Sequence, residues 1–139
     1  MQLAMSQMII AVGRPDTSDG YKRTCCHESG KQRQGHSVLS ALADALGWEV
    51  RADVPGNYRI GTDDDARLSL FDGRPPSQNV HFGFLVDEVD DVHRIYEQLL
   101  ASGWADDGAP GPRPEYSEGY YGGFVAGPDG NSYEAFTRV

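Results

Sequence analysis

The stretch HFGFLV at residues 81–86, followed later by GPDGNSYE at residues 127–134, decides the fold of this chain. Apolar residues alternate through the first stretch, so that one face of a strand is apolar and the other carries the imidazole of His81. The second stretch is a turn that leads into a strand containing Glu134. We expect both side chains to face one concave surface, where they can ligate a divalent metal or anchor a small ligand.

A helix is predicted between these two strands, over residues 88–102. Its apolar side chains recur on one face, at Val89, Val92, Ile95, Tyr96, Leu99 and Leu100. Asp87 is expected to cap the start of the helix, and Gly103 is expected to end it. The apolar face of the first strand is expected to pack on this helix.

The chain beyond the helix is rich in glycine and proline, which indicates short strands joined by turns. We expect a short strand near Trp104, a loop over residues 108–119, and two strands over residues 120–126 and 132–138. The second half is therefore predicted to form one βαβββ unit.

The first half of the chain repeats this pattern less regularly. A short strand at residues 5–12 is followed by an irregular polar segment, residues 13–35, that shows neither the strand period nor the helix period. The first helix is expected to begin at His36 and to end at Gly47. Three strands are then predicted, over residues 49–54, 57–61 and 67–72.

Two matching helix ends indicate an internal duplication. Leu-Gly-Trp at residues 46–48 closes the first helix as Ser-Gly-Trp at residues 102–104 closes the second. An α+β fold is therefore predicted, with two βαβββ modules, residues 1–76 and 77–139, in one domain. The modules are expected to form a cupped, barrel-like mixed sheet with the helices outside.

From residue 39 to residue 138 the chain resembles the vicinal oxygen chelate superfamily, which includes glyoxalase I, the bleomycin-resistance proteins and the extradiol dioxygenases. The second module carries the resemblance, through its HFGFLV strand and GPDGNSYE turn. It implies a homodimer and a metal-dependent lyase or isomerase that acts on a small oxygenated or thiol-conjugated substrate. By this resemblance His81 and Glu134 would ligate a divalent metal such as Zn, Ni, Mn or Fe, and Glu134 would be the catalytic base.

The first module offers no clear counterpart of these two ligands. Aligning the turns puts Leu68 opposite Glu134, and leucine cannot bind a metal. Counting back from the first helix puts Cys25 opposite His81, within a Cys-Cys-His-Glu cluster at residues 25–28 that lacks recognisable ligand spacing. Two alternatives stay open: a metal-free protein that binds and sequesters a small molecule such as an antibiotic, and an inactive copy of the fold.

The loop PGPRPEYSEGYYG at residues 110–122 supplies the candidate substrate-binding residues, and it resembles a motif from one branch of that superfamily. Arg113 lies between two prolines that restrict its backbone, which prepares its guanidinium to bind a carboxylate or a phosphate. Tyr116, Tyr120 and Tyr121 can supply a stacking wall and hydroxyl donors. The alternative is that Arg113 pairs with a glutamate of the same loop and that the tyrosines are structural.

The composition excludes several classes of function. With 21 acidic against 12 basic residues and a net charge of -9, an extended nucleic-acid surface is not expected, whereas a cationic guest is favoured. No apolar run approaches the roughly 20 residues that cross a bilayer, so no membrane contact is expected. Adjacent Cys25 and Cys26 indicate reduced thiols, and we expect a cytoplasmic protein.

Overall fold

The computed structural model describes residues 6–11, 30–54, 57–62, 65–71 and 79–139. In chain order the elements are β1 (Ser6–Ala11), α1 (Gly30–Leu46), β2 (Glu49–Val54), β3 (Asn57–Thr62), β4 (Asp65–Phe71), β5 (Val80–Leu85), α2 (Val89–Ala101), β6 (Ala105–Pro112), β7 (Tyr120–Ala126) and β8 (Ser132–Arg138). The chain divides into two compact units: unit 1 comprises Met1–Gly13 and Arg74–Val139, and unit 2 comprises Arg14–Gly73.

Unit 1 is built on a five-stranded mixed sheet in the order β1-β5-β8-β7-β6. Strands β1, β5 and β8 run parallel to one another, whereas β7 pairs with both β8 and β6 in antiparallel fashion. Helix α2 connects β5 to β6 and packs on β6, β7 and β8. The buried apolar side chains of this unit are Phe84, Val86, Val92, Ile95, Tyr96, Leu99, Trp104, Val125, Tyr133, Ala135 and Phe136.

The alternation predicted for β5 is confirmed. Phe82 stacks on Tyr133 of β8 with ring centroids 5.1 Å apart, and Tyr133 in turn lies 4.9 Å from Trp104, which follows α2. The side chain of Phe84 is 1% exposed. Because alternate residues of a strand point to opposite faces, His81 lies on the face of the sheet that α2 does not cover.

The start of α2 differs from the expectation at Asp87. The N-cap residue is Glu88, in extended conformation and without a side-chain capping bond, so the predicted Asp87 cap is wrong. The backbone carbonyl of Asp87 instead accepts a hydrogen bond from Thr137 Oγ1 at 3.3 Å. Asp90 and Asp91 in the first turn stabilise this helix end electrostatically, because acidic side chains there complement the helix dipole.

The loop expected from residue 108 begins later than predicted, because β6 continues to Pro112. Its pairing with β7 shifts register between Asp106 and Gly108 and again between Gly108 and Gly111. These irregularities, with glycine at the shifted positions, are typical of β-bulges and conceal the alternation by which a strand is identified in sequence.

Unit 2 contains α1 and an antiparallel three-stranded sheet in the order β2-β3-β4. Helix α1 begins at Gly30, earlier than the expected His36, because its first turns carry few apolar side chains to mark a period. The buried apolar side chains among the described residues of the unit are Val38, Leu39, Leu42, Ala43, Ala45, Leu46, Trp48, Tyr58 and Ile60. The cluster at residues 25–28 lies outside the described residues.

The two helices end in the same way, as the sequence repeat predicts. Gly47 and Gly103 both adopt positive φ, at 68° and 92°, where glycine carries no steric penalty. The amides of Trp48 and Trp104 then reach back five residues, to the carbonyls of Ala43 at 2.9 Å and Leu99 at 3.2 Å. This is the Schellman pattern, which satisfies carbonyls at a helix end.

The α+β class with helices and a mixed sheet is confirmed. Within the described residues the strands form two sheets, of five and three strands, and neither closes into a barrel. Neither described helix combines the length and the apolar character needed to cross a bilayer.

Replacing Phe84 by alanine is expected to reduce the free energy of unfolding by about 3–5 kcal/mol, since a fully buried ring leaves a cavity. The matched control is Leu85→Ala, on the opposite face of the same strand and half-buried, for which a smaller loss is expected. Guanidinium unfolding followed by circular dichroism measures both. Equal losses would contradict the assignment of the apolar face.

Candidate functional site

The structure brings His81 and Glu134 into direct contact on adjacent parallel strands. In the register of β5 and β8, His81 lies opposite Ser132 and Gly83 opposite Glu134. His81 Nε2 and Glu134 Oε2 are 2.9 Å apart, with side chains 14% and 2% exposed. The two groups therefore share one face of the sheet, as the sequence predicts, while their role as metal ligands stays a prediction.

Two further hydroxyl groups complete a hydrogen-bond network around this pair. The phenol of Tyr120 donates to Glu134 Oε1 at 2.5 Å, and His81 Nδ1 lies 3.0 Å from Ser132 Oγ. An ionised carboxylate only accepts hydrogen bonds, so beside a charged Glu134 the imidazole carries its proton on Nε2. Its Nδ1 then accepts from the Ser132 hydroxyl. Each polar atom of the pair has a partner, which is what a buried carboxylate requires.

Glycines on the neighbouring strands make room for the buried carboxylate. A Cβ placed on Gly122 of β7 would lie 2.7 Å from Glu134 Oε1, closer than real Cβ atoms approach. A Cβ on Gly83 of β5 would meet Oε2 at 3.9 Å and a ring atom of Phe136 at 3.2 Å. The absence of a side chain at Gly122 therefore leaves the space that the carboxylate of Glu134 occupies.

The phenol of Tyr120 is held in its neutral form. Burial, and then the hydrogen bond and the negative charge of Glu134, raise the pKa of Tyr120 above its ordinary value of 10.0. Tyr120 therefore stays protonated at neutral pH and acts as a hydrogen-bond donor to the carboxylate.

Aromatic rings surround this network on the same face of the sheet, which we call the His81 face and define by His81, Ser132, Glu134, Tyr120 and Phe124. The ring of Tyr120 stacks on Phe136, at 5.0 Å and nearly parallel. Tyr116 meets Tyr120 and Phe124 edge-on, with ring centroids 5.3 and 6.2 Å apart. Tyr116 is 59% exposed, so this aromatic cluster presents a ring to solvent.

Arg113 lies beside the same cluster. Its guanidinium is 5.7 Å from the centroid of Phe124, a cation–π distance. Nη2 donates to the carbonyl of Ala109 at 2.8 Å, and Nη1 to that of Pro112 at 3.3 Å. In the described part of the chain no carboxylate forms an ion pair with Arg113, so the expected alternative of pairing within its own loop is not observed.

Tyr121 is the one predicted ligand-binding tyrosine that lies elsewhere. It follows Tyr120 on β7 and therefore points to the opposite side of the sheet. There its hydroxyl is hydrogen-bonded to Nε2 of His93 on α2, at 2.8 Å. The structure thus groups His81, Glu134, Tyr120, Tyr116 and Arg113 on one side and separates Tyr121 from them.

The donor groups of the described residues do not fit a metal centre. Among the described residues, no group of three or more His, Cys, Asp and Glu side chains could hold an ion. His81 and Glu134 are the two conventional ligands, and they bond to each other, whereas protein metal sites usually take three or four protein ligands.

The pairing of β1 with β5 shows which residue of the first strand lies opposite His81. Strand β1 pairs with β5 so that Gln7 lies opposite His81. The count back from the first helix placed Cys25 at that position instead, because the irregular segment after β1 alters the spacing. Leu68, the residue aligned with Glu134, lies on β4 in unit 2.

Sequence reasoning missed Ser132 and Phe124 as members of the site. Both could have been found from the strand period, because Ser132 is two residues before Glu134 and Phe124 is four after Tyr120. What the sequence does not contain is the register between β7 and β8, which sets Phe124 opposite Glu134.

Replacing Tyr120 by phenylalanine is expected to lower the free energy of unfolding by about 1–3 kcal/mol, because a buried carboxylate oxygen loses its donor. Tyr121→Phe is the matched control. It removes one hydroxyl from a half-buried bond on the helix side, and a smaller loss is expected. Urea unfolding of both variants gives the comparison, and an unchanged stability of Tyr120→Phe would argue against the network.

Comparisons with known proteins agree with this architecture. Residues 39–135 match the sequence model of the Glyoxalase/Bleomycin resistance protein/Dioxygenase superfamily, whereas no match is found among curated protein sequences. A glyoxalase/bleomycin resistance protein from Albidiferax ferrireducens T118 is similar in structure, with a TM-score of 0.64 at 16% identity over 96% of this chain and 98% of that chain.

Two further solved structures share the fold. Lactoylglutathione lyase from Agrobacterium tumefaciens has a TM-score of 0.56 at 20% identity, over 73% of this chain and 84% of that one. Oxidase ChaP-H2 has a TM-score of 0.54 at 23% identity, over 100% of this chain and 96% of that one. At such identities the likeness concerns the fold alone. Because the family model spans more than half of the chain and the fold agrees with it, this protein belongs to the glyoxalase/bleomycin resistance protein/dioxygenase superfamily.

Proposed function

We propose that this chain is a metal-free protein that binds a small molecule on the His81 face. Members of its superfamily bind small-molecule ligands, which supports a ligand for this chain as well. The observation that carries the proposal is the exposed ring of Tyr116, supported edge-on by Tyr120 and Phe124. An aromatic ring that neighbouring rings hold in place and that is open to solvent can stack on a ligand.

The polar network beneath the rings supports binding by keeping the site rigid. Glu134 is fixed by Tyr120 and His81, and His81 is fixed by Ser132, so none of these side chains must be ordered when a ligand arrives. Preorganisation of this kind reduces the entropy cost of binding. The side chain of His81 is 14% exposed, and its ring lies 6.0 Å from that of Phe124.

A second candidate is the metal-dependent lyase or isomerase, and one observation favours it. His81 Nε2 and Glu134 Oε2 are 2.9 Å apart, a separation that two donors to one ion can have. This reading needs further ligands beyond these two. Members of the superfamily often use divalent metals, so the metal content of this chain is the measurement that separates the candidates.

Homodimer formation and a cytoplasmic location stay predictions from the resemblance and the composition. The same holds for the boundary between the two βαβββ modules near residue 76. None of them is required by the proposed binding site, because all of its residues belong to unit 1.

The first test is metal content. Protein stripped with EDTA, then exposed to Zn, Ni, Mn or Fe(II) and desalted, is expected to retain substoichiometric metal by mass spectrometry, since two mutually bonded ligands bind weakly. His81→Ala and Glu134→Ala are the controls and are expected to give the same low values. One equivalent of metal in the wild type, lost in both variants, would reject the metal-free reading and support the lyase.

The second test is the location of ligand binding. Neutral, anionic and cationic aromatic fragments are titrated into ¹⁵N-labelled protein, and the amides of the His81 face are expected to shift. Tyr116→Ala is expected to lower the affinity for these fragments by about tenfold, because it removes the exposed ring. Val50→Ala, which shortens another exposed apolar side chain, is the control and should leave affinity unchanged. Shifts confined to other surfaces would contradict the proposed site.

A further inference from the structure

We propose that the ligand of the His81 face is an aromatic carboxylate, with its ring against Tyr116 and Phe124 and its carboxylate bound by Arg113. This inference rests on the proposed function, because it names the class of molecule that the proposed site takes. It differs from the cationic guest that the overall charge favours.

The first argument is that Arg113 carries a charge without an acidic partner. Among the described residues no carboxylate pairs with it, and it donates only to the carbonyls of Ala109 and Pro112. A guanidinium has five N–H donors, so these two bonds orient the group and leave donors free. A guanidinium held in one orientation is suited to binding a carboxylate through two parallel hydrogen bonds.

The second argument is that the guanidinium of Arg113 lies close to strand β6. A Cβ on Gly111 would lie 3.3 Å from its Nη1, and one on Gly108 would lie 3.5 Å from its Nη2. The guanidinium is therefore in van der Waals range of these two positions. Gly108 is also paired with Phe124 of β7, so the charge and the ring lie on neighbouring strands, which are about 4.8 Å apart.

A second cation lies at the other end of the aromatic cluster. Arg138 shares its face of β8 with Glu134 and Phe136, because these residues alternate along the strand. Arg138 is paired with Tyr120 in the sheet. Its positive charge lowers the pKa of the Tyr120 phenol, although burial and Glu134 raise that pKa more strongly. The exposed ring of Tyr116 thus lies in a region with two arginines nearby.

The buried carboxylate of Glu134 is shielded from a ligand. Glu134 is 2% exposed, and its two oxygens accept hydrogen bonds from Tyr120 and, with its proton on Nε2, from His81. The net charge of -9 belongs to the whole chain, whereas a ligand on the His81 face meets the groups closest to it. Glu115 and Glu118, in the loop that carries Arg113, are exposed, and neither forms an ion pair with it, so the free donors of its guanidinium stay open to a ligand carboxylate.

The test uses three probes of nearly equal shape: trans-cinnamate, cinnamamide and cinnamylamine, titrated into the full chain by isothermal calorimetry. Cinnamate is expected to bind about tenfold more tightly than the neutral amide, since a charge-assisted pair replaces a neutral hydrogen bond. Cinnamylamine is expected to bind most weakly. Raising NaCl from 50 to 500 mM should lower the affinity for cinnamate severalfold and leave the affinity for cinnamamide nearly unchanged.

Arg113→Gln is expected to remove the advantage of cinnamate over cinnamamide while leaving the affinity for cinnamamide within about twofold. Arg94→Gln is the matched control, because Arg94 pairs with Asp91 on α2 and lies away from the His81 face. Unchanged thermal unfolding of both variants shows that they are folded. Arg113→Lys, which keeps the charge and loses the planar fork, is expected to recover only part of the advantage.

Equal or tighter binding of cinnamylamine, full retention of cinnamate affinity in Arg113→Gln, or binding of none of the three probes would overturn this inference. The proposed function fails differently, through one equivalent of bound metal or through fragment shifts away from the His81 face. A cationic fragment that binds on the His81 face would therefore reject the ligand class and leave the binding site standing.

Discussion

The structure of unit 1 depends on the burial of one carboxylate. Glu134 lies on the third strand of a five-stranded sheet with its side chain almost fully removed from water, a position in which a charged group is costly unless hydrogen bonds meet it. Its neighbours meet that requirement from both sides, Tyr120 from β7 and His81 from β5. Gly122 then has to lack a side chain so that the carboxylate fits. One buried acid thus accounts for the residue types at three positions on two other strands.

The two faces of the five-stranded sheet make different kinds of contact. On the helix side, β7 and β8 pack with α2, and the hydrogen bond between Tyr121 and His93 joins the sheet to the helix. On the other side, hydrogen-bonded polar groups and aromatic rings lie next to Arg113. The helix side therefore contributes apolar packing, whereas the His81 face combines the buried network around Glu134 with the exposed groups that we propose bind a ligand.

The sequence predicts the elements of unit 1 well because their periods are strong. The HFGFLV strand, the apolar stripe of α2 and the two last strands all follow from alternation or from helical spacing. It predicts β6 poorly, because Gly108 and Gly111 interrupt the pairing and Pro110 reads as a breaker. Likewise α1 starts before His36, in a stretch whose residues carry no apolar period.

The sequence predicts the residues of the candidate site better than the contacts between them. His81, Glu134, Arg113, Tyr116 and Tyr120 were identified by residue type and strand position, and the structure groups them. The bond between Tyr120 and Glu134, and the separation of Tyr121, depend on strand register, which joins residues distant in sequence. The pairing of Gln7 with His81 could not be predicted for the same reason, because the number of residues between two parallel strands does not determine their register.

The run Tyr-Tyr-Gly-Gly at the start of β7 has an unusual property. A slip of this strand by one residue would put Tyr121 where Tyr120 lies and Gly123 where Gly122 lies, so tyrosine and glycine would still meet Glu134. On the other side of the sheet, however, the slip would put Gly122 where Tyr121 bonds to His93, and Phe124 where even a Cβ on Gly123 would lie 2.9 Å from Pro110. Correct alignment of this strand is therefore set on the helix side, where the two tyrosines and the two glycines are not interchangeable.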